Sequence, residues 1–233
     1  VIATILHLPK IRSGSLVSTR EVLSESLPFG LSEFLSLIYT NIDVTILAWM
    51  AGKTAVGLYS PASGIIHALF VVPNAMFSVM VPSMTKLGAN SIERFRSSLR
   101  PLFLSFFILG VAMWLAVGIL GKWVVSWLLG DAYQFSGQIL VILSSILFLK
   151  CISFACAIVL VAVGWQSKRL MPQFISAVLN IGANILFLPV YGVVAVAWVY
   201  VISELILTLG YIWITLRWVR FGAFEINKGV SSK

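Results

Sequence analysis

Charge is the scarcest commodity in this sequence: 10% of its 233 residues are Asp, Glu, Lys or Arg, while 60% are hydrophobic. A soluble globular domain carries about 25% charged and 45–50% apolar residues, so a water-facing surface wrapped round one core is excluded. Cysteine is scarcer still. Cys151 and Cys156 fall in one apolar run, which excludes a disulfide framework or thiolate metal spacing and leaves small packing residues. No nucleophile stands at a recognisable spacing from a base, no Gly-rich loop awaits a phosphate, and no His/Cys/Asp cluster suits a metal. Neither a catalytic residue nor a cofactor is expected. The loops are also too short to hold an extramembrane catalytic domain.

What the sequence does have is length in its apolar runs. Several reach 18 residues or more, enough to cross a hydrocarbon layer of roughly 30 Å at 1.5 Å per residue. Six spans follow from the runs and their breakers: Leu27 to Met50, Gly57 to Met84, Pro101 to Leu120, Gln138 to Val163, Leu170 to Pro189, and Val193 to Leu216. The fold class is therefore all-α, a polytopic membrane helix bundle of about six transmembrane helices. Residues 1–26 read as the end of a preceding helix and a loop, 27–216 as the transmembrane lobe, and 217–233 as a tail. A start at Val1 with a short apolar stretch to Pro9 is expected of a chain cut inside an earlier helix. The Trp-rich stretch Gly121 to Gly130 suits either a helix lying at the interface or a lengthened span end.

The net charge of +8 does not point to nucleic acid, because the basic residues lie singly or in small groups between the apolar runs and form no amphipathic stripe. Their distribution instead sets an orientation, since cytoplasmic loops carry the Lys and Arg excess. With the segment before the first span inside, Lys10, Arg12, Arg20, Lys86, Arg94, Arg96, Arg100, Lys168, Arg169, Arg217, Arg220, Lys228 and Lys233 are cytoplasmic. Only Lys53 and Lys122 fall outside, and Lys150 lies within a span.

Polar residues at membrane depth cost about 2.5–3.5 kcal/mol when charged, so they usually face protein or water. Ser32, Ser36, Tyr39, Thr40 and Asp43 share one helical stripe of the first span. Ser60, Ser63, Gly64, His67, Asn74 and Ser78 form a second, with Pro73 and Pro82 able to bend that helix. Gln173, Ser176, Asn180 and Asn184 form a third. Such seams are read either as packing glue between helices or as the wall of a hydrated cavity, and Asp43 and His67 favour the cavity because they can titrate. Lys150 and Glu204 lie near the middles of their spans, where opposite charges invite a pair. The pair is either self-neutralising, or Lys150 holds an anionic substrate group while Glu204 titrates with a coupling proton. Glu33, nearer the inner surface, is weaker evidence.

Several words in fixed order resemble the C-terminal lobe of the polysaccharide flippases, the Wzx-type O-antigen exporters of the multidrug/oligosaccharidyl-lipid/polysaccharide superfamily. They are Leu27-Pro28-Phe29, Tyr39-Thr40-Asn41-Ile42-Asp43, Tyr59-Ser60-Pro61-Ala62, Val81-Pro82-Ser83, Leu129-Gly130-Asp131-Ala132-Tyr133, Asn180-Ile181-Gly182-Ala183-Asn184, Leu188-Pro189-Val190-Tyr191-Gly192 and Ser203-Glu204. The stretch Val193 to Ala197 departs from the family, which more often has a second Gly there. The resemblance implies one six-helix lobe of a two-lobe carrier, partnered by an N-terminal lobe, that passes an undecaprenyl-diphosphate-linked oligosaccharide across a bacterial cytoplasmic membrane by alternating access. Under it Lys150, His67, Asn180 and Asn184 are expected to bind substrate, and Asp43 and Glu204 to couple an ion. The rivals are a drug or peptidoglycan-precursor carrier of the same superfamily, a membrane-embedded polymerase or ligase, and a purely structural subunit.

Overall fold

The computed structural model describes residues 19–222, with side chains described from Asn41 to Arg220 and, before that, at Gly30, Leu31 and Phe34. Five α-helices account for almost all of it: α1 (Thr19–Leu69), α2 (Val71–Asn90), α3 (Ile92–Leu129), α4 (Gln134–Ala162) and α5 (Leu170–Arg217). There is no strand among the described residues. In hydrocarbon each backbone N–H and C=O must find a partner inside the chain, and helices satisfy that requirement locally.

Two of the five are double. Gly52, at φ 78° and ψ −175°, breaks α1 into limbs 19–51 and 53–69, and Gly192, at φ 64° and ψ −152°, breaks α5 into limbs 170–191 and 193–217. A side chain at either corner would be strained, because this region is essentially glycine's own. Both corners reverse the chain. Across the first, the Tyr59 hydroxyl reaches the Asp43 carboxylate; across the second, the Ser176 hydroxyl donates to the Ser203 carbonyl at 2.6 Å.

Among the described residues, Asn41–Asn90, Ile92–Leu129, Asp131–Ala162, Gln166–Tyr191 and Val193–Arg220 are long and apolar enough to cross a membrane. The first of these folds back at Gly52, and the limb before that glycine supplies a sixth rod beginning at Thr19. Limb 53–69 runs on into α2 through a bend at Phe70. The cause is Pro73, whose missing N–H leaves the ladder one donor short at the bend. The stretch Gly121–Gly130 is the lengthened end of a span and not a separate interfacial helix, since α3 continues unbroken to Leu129.

The helices alternate between two ends. At one, Arg96 donates to the Val219 carbonyl at 3.2 Å, Phe95 stacks edge-on against Trp218, and Gly88 lies against Ala162. That joins the α2–α3, α4–α5 and C-terminal corners at an end bearing Lys86, Arg94, Arg96, Arg100, Lys168, Arg169, Arg217 and Arg220. At the other, Ser136 donates to the Leu58 carbonyl at 2.7 Å, and the basic residues in its corners are Lys53 and Lys122.

Helix α4 is the central post, with Leu143, Ile146, Leu147, Ala155 and Ile158 all fully buried. Lipid offers no hydrophobic gain for helix association, so close packing must supply it, and small residues permit the approach. A Cβ added at Gly110 would stand 3.0 Å from Cys151 Cβ and 3.2 Å from the Phe148 backbone; at Gly137 it would be 3.3 Å from the Lys122 backbone. These glycines seat α3 on α4. Gly210 does the same inside α5, where an added Cβ would be 2.8 Å from Pro172 Cβ.

Candidate functional site

Two buried polar clusters occupy the interior near mid-depth. The first is built on Asp43, nine residues before the Gly52 corner and so about 13 Å below it at 1.5 Å per residue. Its carboxylate accepts from Asn184 Nδ2 at 3.0 Å and from the Tyr59 hydroxyl at 3.4 Å. The same Asn184 amide donates to Asn180 Oδ1 at 3.0 Å. Asp43, Tyr59, Asn180 and Asn184 are each at most 1% exposed. Tyr200, on limb 193–217, is also buried and lies within electrostatic reach of Asp43. Four rods therefore converge on one carboxyl group. Its hydrogen-bonding partners are neutral, and no Lys or Arg among the described residues forms a salt bridge with it.

The second cluster is an ion pair. Lys150 Nζ on α4 meets Glu204 Oε2 on limb 193–217 at 3.1 Å, with the two side chains 14% and 0% exposed. Glu204 is braced by Ser153, whose hydroxyl is 3.5 Å from Oε1 and 2.8 Å from the Thr208 hydroxyl. Thr208 in turn donates to the Glu204 carbonyl at 2.7 Å. The Phe70 ring, at the bend above Pro73, lies 5.6 Å from the Lys150 ammonium. His67 is beside it, its ring 5.6 Å from that of Phe70 and tilted by 42°, with Nε2 buried and unpartnered. The bend thus delivers two aromatic rings to the cationic end of the pair.

The structure distributes the sequence-derived candidates unevenly. Lys150 and Glu204 come together, as do Asp43, Asn180 and Asn184. Asn180 and Asn184, expected to face sugar, have no exposed surface: Asn184 Nδ2 donates to Asp43 and to Asn180 Oδ1, while Asn180 Nδ2 and Asn184 Oδ1 are buried without a hydrogen-bond partner. In this conformation they shape the carboxyl's surroundings and do not reach a ligand outside the lobe. His67 joins the ion-pair cluster and is not bonded to Asp43. Of the first stripe, Ser32, Ser36, Tyr39 and Thr40, together with Glu33, lie outside the residues whose side chains are described. Tyr59, Tyr200, Ser153 and Thr208 were missed. Tyr59 stood in a recognisable word with no role attached, and nothing in spacing along one helix names a partner on another.

The second stripe divides. Ser63 is buried, Ser60 and His67 are half-buried, and Gly64, Asn74 and Ser78 are exposed, as are Gly57, Ser83 and Thr85 outside the stripe and the apolar Val71, Val72 and Val79 among them. The outward face of α5 is different in kind, carrying Met171, Phe174, Val178, Leu186, Ile202, Leu205 and Leu209. The outer face of 53–85 mixes polar and apolar residues, whereas that of α5 is apolar.

In comparison with known proteins, residues 1–88 match the family model described as polysaccharide biosynthesis protein. No curated protein and no solved structure matches the chain. The family match covers the first two rods in sequence order, 88 of the 233 residues.

Proposed function

We propose that this chain, a multi-pass helix bundle whose residues 1–88 match a polysaccharide biosynthesis family model, forms one lobe of a carrier moving lipid-linked oligosaccharide across the membrane by alternating access. The observation that carries the reading is the exposed Asn74 amide on the outer face of 53–85, a face that mixes Ser78, Ser83 and Thr85 with Val71, Val72 and Val79. An amide such as Asn74 facing hydrocarbon without a partner costs about 4–8 kcal/mol on a water-to-cyclohexane reference. The Ser78, Ser83 and Thr85 hydroxyls donate to carbonyls of their own helix, so it is the Asn74 amide that calls for water or protein beside it. We take this face as one wall of a hydrated path, closed on the far side by a second lobe, along which the glycan and its diphosphate travel while the lipid tail stays in hydrocarbon.

Asp43 is then the coupling group: a carboxyl at membrane depth, held by neutral donors, where a proton or monovalent cation can bind. Lys150 and Glu204 form the internal strut beside it, with Tyr200 lying between the two clusters on the same limb. The basic end is cytoplasmic by the distribution of Lys and Arg, and the substrate is an undecaprenyl-diphosphate-linked glycan entering from that side.

Asn74→Leu in the full protein tests the wall. It removes an exposed amide that no buried contact uses, so protein level in the membrane should be unchanged while surface polysaccharide falls severalfold. Normal surface polysaccharide from the variant would refute the assignment of this face.

A further inference from the structure

The lipid-facing side of α5 is not smooth. Toward the basic end, over the close contact of Pro172 with Gly210, its two limbs leave an outward cleft of about 760 Å³ lined also by Ile206, Lys168 and Arg217. Trp165 and Trp213 stand in the same rim. Ile206 also lines a second cleft of about 490 Å³ further along the seam, bounded by Leu179, Phe187 and Trp198 and reaching Tyr191 near the opposite corner. The two clefts meet at Ile206, the first basic and Trp-lined at its mouth and the second apolar.

The charge at the mouth is available. Neighbouring Arg169 is turned inward, its Nε 3.4 Å from the Tyr211 hydroxyl and its guanidinium 5.6 Å from the Tyr211 ring. Lys168 and Arg217 are instead exposed, and the salt bridge found among the described residues joins Lys150 to Glu204, elsewhere. Arg217 leans over the Trp213 ring at 5.6 Å, an amphipathic arrangement typical of headgroup depth. From Arg217 to Ile206 the limb descends about 16 Å at 1.5 Å per residue, which matches one leaflet of a hydrocarbon layer of roughly 30 Å. An occupant must therefore carry an anion at headgroup level and a hydrocarbon chain of one-leaflet length.

We propose that this groove binds an anionic phospholipid of the leaflet at the basic end, with its phosphate between Lys168 and Arg217 and one acyl chain running past Ile206. Each basic residue near an anionic headgroup is worth on the order of a fivefold change in binding, so removing both should weaken it about thirtyfold.

The test is native mass spectrometry of the full protein released from bilayers of phosphatidylglycerol or, separately, phosphatidylcholine. Wild type should retain one phosphatidylglycerol and no phosphatidylcholine. Lys168→Gln/Arg217→Gln, which changes only exposed side chains, should lose that lipid. Ile206→Trp, which blocks the groove and leaves the charges, should lose it too. Inorganic phosphate and a polyprenyl phosphate should fail to displace it. Equal retention by either variant, equal retention of phosphatidylcholine, or displacement by either competitor would overturn the assignment. Retention of a protein chain in place of lipid would overturn it also.

Discussion

Removing Lys150 tests whether the buried pair is a structural strut. Lys150→Met keeps the length and apolar stem of the side chain but strands Glu204, whose side chain has no exposed surface. Breaking a buried pair by removing one partner costs about 3–5 kcal/mol, most of it the uncompensated charge left behind. The reverse change, Glu204→Gln, strands a cation that is 14% exposed and lies beside the Phe70 ring. It also keeps a hydrogen-bonding group for Ser153, so it should cost less, about 1–3 kcal/mol. Lys150→Met/Glu204→Leu leaves no charge, and replacing a buried pair by apolar residues is often neutral. The double variant should therefore be more stable than Lys150→Met alone. Unfolding in mixed micelles of wild type, Lys150→Met, Glu204→Leu and Lys150→Met/Glu204→Leu gives the cycle, with Glu204→Gln measured beside it. An interaction of about 2 kcal/mol or more, with Lys150→Met the worse single change, is the expected result. An interaction under about 0.5 kcal/mol, or Glu204→Gln as the worse change, would refute the strut. Measuring export by the stable double variant then separates roles: a pure strut leaves export intact, and a substrate-binding Lys150 does not.

Asp43→Asn keeps the shape and the contacts with Asn184 and Tyr59, so the protein should reach the membrane at its usual level while export falls at least tenfold; normal export would remove Asp43 from the coupling step. Gly210→Ala should destabilise by about 1–3 kcal/mol through overpacking, because the new Cβ would stand 2.8 Å from the rigid Pro172 ring. Gly64→Ala meets nothing within 4 Å and should be neutral or slightly stabilising in the same micelle assay. Equal effects at the two glycines would contradict the packing described for the α5 hairpin.

Much of this architecture is legible in the sequence, because hydrocarbon thickness fixes how long an apolar run must be and glycine marks where the chain can reverse. The corners at Gly52 and Gly192 fall where the runs break. The lengths of the helices are less legible: α3 begins at Ile92 and ends at Leu129, well outside 101–120, because its ends carry Arg and Trp at headgroup level and an apolar-run criterion stops short of them. Lys150 and Glu204 could be paired from depth and sign alone. The partners of Asp43 could not. A polar stripe shows that a helix has a special face but not whether that face meets another helix or water: the stripe suggests Asn180 and Asn184 as sugar-facing hydrogen bonders, and the structure has both fully buried between helices. Asn74 and Ser78, in a stripe of the same appearance, are the ones that look out. Distinguishing the two requires knowing where the neighbouring rods stand, and that depends on long-range packing through α4.

The central claim is transport, and its most direct measurement is passage of a labelled undecaprenyl-diphosphate-linked oligosaccharide across proteoliposomes containing the full protein, read as the fraction accessible to a membrane-impermeant glycosidase. The account predicts time-dependent transfer between leaflets that Asp43→Asn abolishes. Transfer no faster than in protein-free liposomes, or transfer unchanged by that substitution, would contradict it.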